Sequence, residues 1–222
     1  MAGRGTLERS DRGITGLETA IILIAFVVVA SVFAFTILSV GIFASEKSKQ
    51  TALSGVNETQ STLRPTGGVV ALTDLVSGTS SVTRLKFTVG LNSGSSAIEL
   101  TPAWTAAVSG ASPISAGNGG PTIVSYTDSR QHLSETNWTV AWLGESDGDD
   151  ILEGDETAEI TVWLQERAGD DTFSVGSPGD NFLDNLLTKS LTFSITITPS
   201  VGATFELQRT IPASMDTALF LD

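Results

Sequence analysis

The residues best suited to chemistry are the carboxylates of one acidic segment late in the chain, Glu145-Ser146-Asp147-Gly148-Asp149-Asp150-Ile151-Leu152-Glu153-Gly154-Asp155-Glu156. Carboxylate oxygens are the ligands that Ca²⁺ prefers, and nearby glycines let a loop bend around an ion. Asp147, Asp149 and Glu153 are therefore candidate ligands of a structural Ca²⁺ or another divalent cation. Counted from Asp147, however, the segment lacks the glycine and glutamate of an EF-hand. The alternative is a solvated acidic loop, and neither interpretation requires a cofactor.

The rest of the sequence offers little for catalysis. His132 is the only histidine, it lies in a polar stretch, and the chain has no cysteine. The sequence contains no nucleophile elbow, phosphate-binding loop or dinucleotide fingerprint. It therefore predicts a protein that is not an enzyme.

Two sequons are candidate glycosylation sites, Asn57-Glu58-Thr59 and Asn137-Trp138-Thr139. An acceptor asparagine must be exposed. Asn57 is predicted to lie on a helical stalk and Asn137 at the start of a strand, so packing decides whether either is accessible.

A single carboxylate, Glu18, lies at the start of a long apolar segment. Arg12-Gly13 is followed by Ile14-Thr15-Gly16-Leu17-Glu18, and no charge occurs from Thr19 to Ser45. A helix of about 25 residues spans the hydrocarbon core of a bilayer. The segment is too long for the core of a cleaved secretory signal. An uncleaved membrane anchor is one alternative, with the positively charged leader 1–13 held inside.

The overall charge of the chain limits the classes of partner that it can bind. The 222 residues include 12 basic and 25 acidic ones, which give a net charge of -13. Nucleic acid is excluded as a partner, because phosphate binding needs clustered lysine and arginine.

The apolar segment is predicted to form a helix from Ile14 to Leu63, with a weak point at Ser54-Gly55. Pro65 and Gly67-Gly68 then stop it. Small residues along it permit close approach of neighbouring helices: Gly16, Ala20, Ala25, Ala30, Ser31, Ala34 and Gly41.

From Val69 onward the apolar period changes to two, as in half-buried strands. The alternating sets lie at 85–91, 158–164 and 191–197, and further strands are predicted at 69–75, 98–108, 122–126, 137–143 and 204–209. The fold class is therefore α+β, with a long hydrophobic helix followed by an antiparallel, immunoglobulin-like β-sandwich over 68–222. Asn181–Leu187 is predicted as a single helical turn. The alternation places Trp163 on the outer face, as a surface aromatic or a subunit contact.

Several of these residues carry a family resemblance. Arg12-Gly13 before Ile14-Thr15-Gly16-Leu17-Glu18-Thr19-Ala20-Ile21-Ile22 resembles the start of archaeal flagellins (archaellins), and it is more distantly similar to type IV pilins. Weaker similarities to archaellins are Ser93–Leu100, the acidic turn Asp149–Glu156, and Arg209-Thr210-Ile211-Pro212.

The resemblance implies a processing step and an assembly residue. A prepilin-type peptidase would cut between Gly13 and Ile14, which divides the chain into a leader 1–13, a core helix with stalk 14–64, and a head 68–222. Glu18 would become the fifth mature residue and pair with the new Ile14 ammonium of a neighbouring copy. The resemblance also favours glycosylation at both sequons, because archaellins are commonly glycosylated at such motifs.

The resemblance also implies a function. The chain would be a structural subunit of the archaeal flagellum filament, a helical homopolymer outside the cell that serves swimming. Its precursor would lie transiently in the cytoplasmic membrane, where the peptidase and the membrane assembly machinery are its partners. The alternatives are an archaeal adhesion pilin and a membrane-anchored extracellular binding domain.

Overall fold

A computed structural model of the chain describes residues 7–60, 62–92, 94–102, 104–105, 114–115, 119–167, 172–176 and 180–221. Of residues 7–15, 57–60, 105 and 114–115 it describes the backbone alone. The chain divides into two compact units, Met1–Ser54 and Gly55–Asp222.

The N-terminal element is one continuous helix, α1, Leu7–Gln60, of 54 residues. At 1.5 Å per residue such a helix is about 80 Å long. It ends before the predicted limit, because Leu63 is only 2% exposed and pairs with Leu91 in a β-ladder of the head. It also starts earlier than predicted, so the Gly13–Ile14 bond lies inside helical backbone.

The head is built of short strands, with bounds β1 Leu63–Pro65, β2 Val69–Val76, β3 Thr79–Leu91, β4 Ile98–Glu99, β5 Trp104–Thr105, β6 Ile114–Ser115, β7 Ile123–Asp128, β8 His132–Leu133, β9 Asn137–Leu143, β10 Ile151–Leu152, β11 Thr157–Trp163, β12 Glu166–Arg167, β13 Phe173–Ser174, β14 Thr192–Thr198, β15 Phe205–Thr210 and β16 Ala218–Leu221. They form one 8-stranded sheet, one 4-stranded sheet and two 2-stranded ones. The larger sheet has the order β12-β13-β2-β3-β11-β9, with β1 also on β3 and β16 also on β2. The 4-stranded sheet has the order β15-β14-β7-β8.

Period-two alternation builds the core between the two main sheets. In β14, for example, Phe193, Ile195 and Ile197 are buried while the residues between them are not. Facing them, alternate residues of β3 and β11 in the larger sheet join the same hydrophobic cluster. The prediction of a long helix followed by an antiparallel β-rich head is confirmed, and two sheets around one core are compatible with an immunoglobulin-like sandwich.

Two local predictions are wrong. Asn181–Leu187 is not helical, because Asn181 has φ 61°, the left-handed region, and the Leu183 amide bonds to the Leu164 carbonyl across the fold. The single strand expected over 98–108 is replaced by the short β4 and β5. Pro102 lies between them and cannot donate to a ladder, while 103 and 106–108 lie outside the described residues.

Candidate assembly helix and surface sites

The helix α1 carries large apolar side chains on every side. From Leu17 to Phe43 the leucines, isoleucines, valines and phenylalanines are each between 53% and 73% exposed. By length and composition alone, Gly16–Val56 is long and apolar enough to cross a membrane, with a mean hydropathy of 3.0. The same composition is found in signal sequences near an N-terminus, so it does not by itself identify a membrane span. A helix that is apolar all round must nevertheless be covered by something outside its own surface.

Two hydroxyl groups within the apolar run form hydrogen bonds inside the helix. Ser31 Oγ donates to the Val27 carbonyl and Thr36 Oγ1 to the Val32 carbonyl, both at 2.7 Å. A buried hydroxyl without a partner costs a few kcal/mol. Because these two already have one, neither requires a polar group from the surroundings, whether those are lipid or protein.

Glycines leave open space along the helix. A Cβ placed on Gly16 or Gly41 would meet no atom within 4 Å other than its chain neighbours and the adjacent helix backbone. Among the described residues, no steric contact therefore requires glycine at these two positions. A shallow groove at Gly41 is also lined by Ile37, Leu38, Ile42, Ser45, Glu46 and Lys49. Its small residues, Gly41 and Ser45, are of the kind that lets a second helix approach closely.

The predicted processing and assembly residues lie in the first turns of α1. Gly13 and Ile14 belong to its described backbone, while their side chains lie outside the described residues. Glu18 is exposed and follows Ile14 by four residues, about one helical turn. Within the described part of the chain Glu18 forms no ion pair, so any partner cation must come from elsewhere.

The acidic turn uses its carboxylates to hold its own backbone. Glu156 accepts from the amides of Asp147 at 3.3 Å and Glu153 at 3.2 Å. Asp147 accepts from the amide of Asp149 at 3.2 Å, and Asp149 from that of Ile151 at 2.8 Å. Within the described residues no group of three or more carboxylates or histidines could hold a metal ion. Of the candidate ligands, Asp147 and Glu153 line one pocket of the turn with Glu145, Asp155 and Glu156, and Asp149 is not among its lining residues.

The two sequons differ in what the structure says of them. Asn137 is 0% exposed, and its Nδ2 donates to the Asp180 carbonyl at 3.1 Å. A glycan on this nitrogen would have to displace the packed segment, so the burial of Asn137 argues against it as an acceptor. Asn57 lies in the last turn of α1, and its side chain is outside the described residues.

A hydrogen-bonded turn around Asp128 is a feature that sequence reasoning missed. Tyr126, buried against Phe193, donates from its hydroxyl to Asp128 Oδ2 at 2.8 Å. Asp128 Oδ1 accepts from the amides of Arg130 and Gln131 at 2.6 and 3.0 Å. Burial opposes the charged form of Asp128, but these hydrogen bonds outweigh it and lower its pKa. Burial, and then the bond to Asp128, raise the pKa of Tyr126. The signal in the sequence was an aspartate in a polar stretch, because aspartate side chains often accept from the main-chain amides that follow them in an Asx-turn.

The same turn holds a distant segment in place. Gln131 Nε2 donates to the Asn185 carbonyl at 2.7 Å, and its Oε1 accepts from the Asn185 amide at 2.9 Å. Arg130 donates to the Leu186 carbonyl. The neighbouring His132 is exposed and shares a hydrogen bond with Thr127, which gives it a place in the turn.

The prediction of Trp163 as a surface aromatic or a subunit contact is corrected, because its side chain is only 6% exposed. It lies on the outer face of the larger sheet, as the alternation indicated, but that face is covered at this end. Its Nε1 donates to Thr139 Oγ1 at 3.1 Å, and the Arg84 guanidinium lies 5.4 Å from its ring centre. Phe173 covers Arg84 from another direction at 5.6 Å. Burial lowers the pKa of Arg84, opposed by Asp74 at 3.7 Å.

Comparison with known proteins shows which family the chain belongs to. A family model described as archaeal-type flagellin matches residues 13–209. The chain belongs to this family. The match begins at Gly13, directly before the apolar run, and it includes both the helix and the head.

Individual relatives agree with the family match. The chain is 31% identical over 219 residues to probable flagellin 1 of Archaeoglobus fulgidus, with 96% of each chain covered. It is 28% identical over 221 residues to probable flagellin 1 of Aeropyrum pernix, with 94% of this chain and 96% of the relative covered. The solved archaeal flagellum of Methanospirillum hungatei strain JF1 matches with a TM-score of 0.60 at 21% identity, covering 93% of this chain and 99% of the other. At that identity the structural match supports the fold.

Membership of the family confirms three predictions. The resemblance to archaellins is confirmed, and so are the helix-plus-head fold and the role as a structural filament subunit. The flagellin is accordingly a self-assembling surface protein of a family that is structural rather than enzymatic.

Proposed function

We propose that this flagellin starts as a precursor in the cytoplasmic membrane, is cut between Gly13 and Ile14 by a prepilin-type peptidase, and joins an extracellular filament through its helix. The filament is the swimming organelle of the cell, and the assembly machinery of the membrane adds subunits to it. One observation carries the proposal: α1 has an apolar surface on all sides in a chain of the archaeal-type flagellin family.

The physical argument concerns what covers the helix. Burying a leucine, isoleucine, valine or phenylalanine side chain is worth roughly 1.5–3 kcal/mol relative to leaving it in water. Lipid and a bundle of like helices remove this surface from water about equally well. Because Ser31 and Thr36 bond within the helix, their hydroxyls need no new partner when the surroundings change. Transfer from the membrane to a filament core therefore has a small free-energy difference, which assembly machinery can supply.

Glu18 is proposed to set the register of the transferred helix. A carboxylate surrounded by apolar side chains costs several kcal/mol unless it is paired. Cleavage after Gly13 creates an ammonium at Ile14, one turn before Glu18 in each subunit. A neighbouring subunit displaced along the axis would bring its own ammonium to Glu18. Only that axial offset pairs both charges, so correct insertion is favoured over other offsets.

The test is the N-terminus and the mass of native filaments. We expect sequencing to begin at Ile14 and the intact mass to lack residues 1–13, with any glycan appearing as a further mass addition. A Gly13→Val chain should remain uncut and in the membrane fraction, whereas Gly16→Ala, with open space at its Cβ, should be cut normally. Material from cells that still begins at Met1 and stays monomeric in the membrane would instead support the anchored extracellular domain. Loss of attachment rather than of swimming in a deletion strain would support the adhesion pilin.

A further inference from the structure

The C-terminal strand β16 exposes an aromatic side chain. Phe220 is 78% exposed, while Leu219 and Leu221 on either side are 6% and 4% exposed. It pairs in register with Val70 of β2, and Ala218 pairs with Leu72. These four residues, Val70, Leu72, Ala218 and Phe220, share the outer face of the larger sheet, and we refer to them as the β16 patch.

The strand has few of the features that protect edges of sheets. Natural edge strands are commonly protected by charged residues, prolines or bulges, and Ala218–Leu221 contains no charged residue or proline. Within the described residues β16 pairs with β2 and with no other strand. Its Leu221 carbonyl accepts a hydrogen bond from Arg209 Nε at 3.4 Å. The Phe220 side chain itself remains exposed.

Charge on this face is balanced, unlike the rest of the head. Val70 and Leu72 pair across the sheet with Lys86 and Arg84. Lys86 Nζ lies 2.7 Å from Glu159, and Arg84 lies 3.7 Å from Asp74. The two basic residues beside the patch are thus matched by two acidic ones. The whole segment 61–222 has seven basic and 20 acidic residues, a net charge of -13.

This distribution of charge favours one kind of partner for the β16 patch. Two copies of so acidic a head repel each other wherever acidic surfaces meet. They approach at least cost where one of the surfaces is neutral and apolar, and exposed apolar patches mark interaction sites. A heterologous contact whose rotation does not close into a ring continues indefinitely and gives a helical polymer.

We infer that the β16 patch is a contact between heads of neighbouring subunits, so that a second copy of this chain covers Phe220 in the filament. The inference rests on the proposed function and adds a head contact to the helix core. Phe220 is the anchor of this contact, because aromatic side chains contribute strongly at interface centres.

The absence of native cysteine allows a direct test on the full chain. Phe220→Cys and, as a matched control, Ser146→Cys in the exposed acidic turn are each labelled with a thiol reagent in intact filaments and in detergent-dispersed subunits. We expect Phe220→Cys to label at least about tenfold more slowly in filaments, and Ser146→Cys to label equally in both. Equal labelling at position 220 in both states would overturn the inference. So would equal protection of both positions, since that would reflect general exclusion of the reagent.

A second pair of variants measures the contribution of the contact. Phe220→Glu and Ser146→Glu each add one carboxylate at an exposed position. We expect Phe220→Glu filaments to be shorter and to dissociate at lower temperature, while Ser146→Glu filaments resemble the wild type. Filaments of Phe220→Glu with wild-type length and thermal stability would overturn the head contact and leave the helix-based assembly standing. Failure of the proposed function is separate, because then the wild-type chain itself forms no filament.

Discussion

Glu18 has no ion-pair partner among the described residues of its own subunit. We expect Glu18→Gln to slow filament assembly strongly, because the amide keeps the shape but cannot pair with the Ile14 ammonium. The rate of filament elongation, followed by electron microscopy after induction, provides the measurement. Glu135→Gln, at an exposed position of the head, serves as the control, with assembly close to normal. Normal elongation with Glu18→Gln would remove the register role.

Trp163 is expected to stabilise the head from within. Replacing a buried tryptophan by alanine typically costs about 3–5 kcal/mol, and here the bond to Thr139 and the contact with Arg84 are lost as well. We expect Trp163→Ala to lower the thermal midpoint of the dispersed full chain by many degrees. Phe220→Ala is the matched control, because truncating a side chain that is 78% exposed should change the midpoint little. Similar midpoints for both variants would contradict the burial of Trp163.

Asp128 is expected to give the head a pH dependence. Its pKa is lowered in the folded state, so its contribution is present above the unfolded pKa of about 4 and is lost as pH falls through the folded pKa. Asp128→Asn should cost about 1–2 kcal/mol at pH 7, a modest value because the carboxylate is partly solvated. Below about pH 4 the difference from the wild type should shrink. Denaturant unfolding between pH 7 and pH 2, followed by the fluorescence of the four tryptophans, all of which lie in the head, tests this. A constant difference across that range would be the contrary result, and the exposed Glu135→Gln is the control.

At the scale of elements, the alternation of apolar residues predicted the strands of the two main sheets well. Leu85, Phe87 and Val89 are buried as expected, because one face of a half-buried strand meets the core whatever the order of strands. The same alternation placed Trp163 on the correct face of β11 but in the wrong environment. A strand pattern shows which side a residue takes, but not whether a later segment such as the one carrying Phe173 returns to cover that side.

Turns and helix ends were harder to predict, for a different reason. Asn181–Leu187 contains three leucines, yet its Leu183 amide bonds to the Leu164 carbonyl at 2.9 Å, which holds the segment in another conformation. Leu63 continued the apolar pattern of the helix but belongs to β1. In both places a contact with residues distant in sequence overrides the local preference. The cleavage and assembly residues came from the sequence, because their pattern is local and lies within a few positions.

The acidic turn is expected to be held by its own backbone contacts rather than by an ion. Chelation of divalent cations should therefore leave the thermal midpoint of the head unchanged. Glu156→Gln should lower that midpoint, because Glu156 accepts from the amides of both Asp147 and Glu153. Glu145→Gln in the same turn is the control. A clear drop in the midpoint after chelation, restored by added Ca²⁺, would instead establish a cation site in this turn.

At the scale of the whole molecule, the separation of charge is the dominant feature. All of the net charge of -13 can be assigned to the segment 61–222, while the apolar run of α1 contributes none. The net charge that each subunit brings to a filament therefore lies in its head. Mobile ions weaken such repulsion, with a screening length of about 10 Å at 0.1 M salt and about 3 Å at 1 M.

Filaments should accordingly be more stable in concentrated salt. We expect the temperature of filament dissociation to rise as sodium chloride increases from about 0.1 M to about 1 M. The unfolding midpoint of dispersed subunits should change less over the same range, because each head has only its own charges to screen. Light scattering follows the first quantity and circular dichroism the second. A dissociation temperature that falls with salt would mean that attraction between charges, rather than apolar contact, dominates between subunits.

The internally bonded hydroxyls of α1 have a consequence for locating the packing face of this helix. On an ordinary amphipathic helix, a helical wheel coloured by polarity separates the buried side from the wet one. Here Ser31 and Thr36 behave as apolar residues, since each hydroxyl already points back to a carbonyl four residues earlier. A wheel drawn for this segment should therefore be coloured by side-chain volume, and the sector containing Gly41 is the one against which a neighbouring backbone fits.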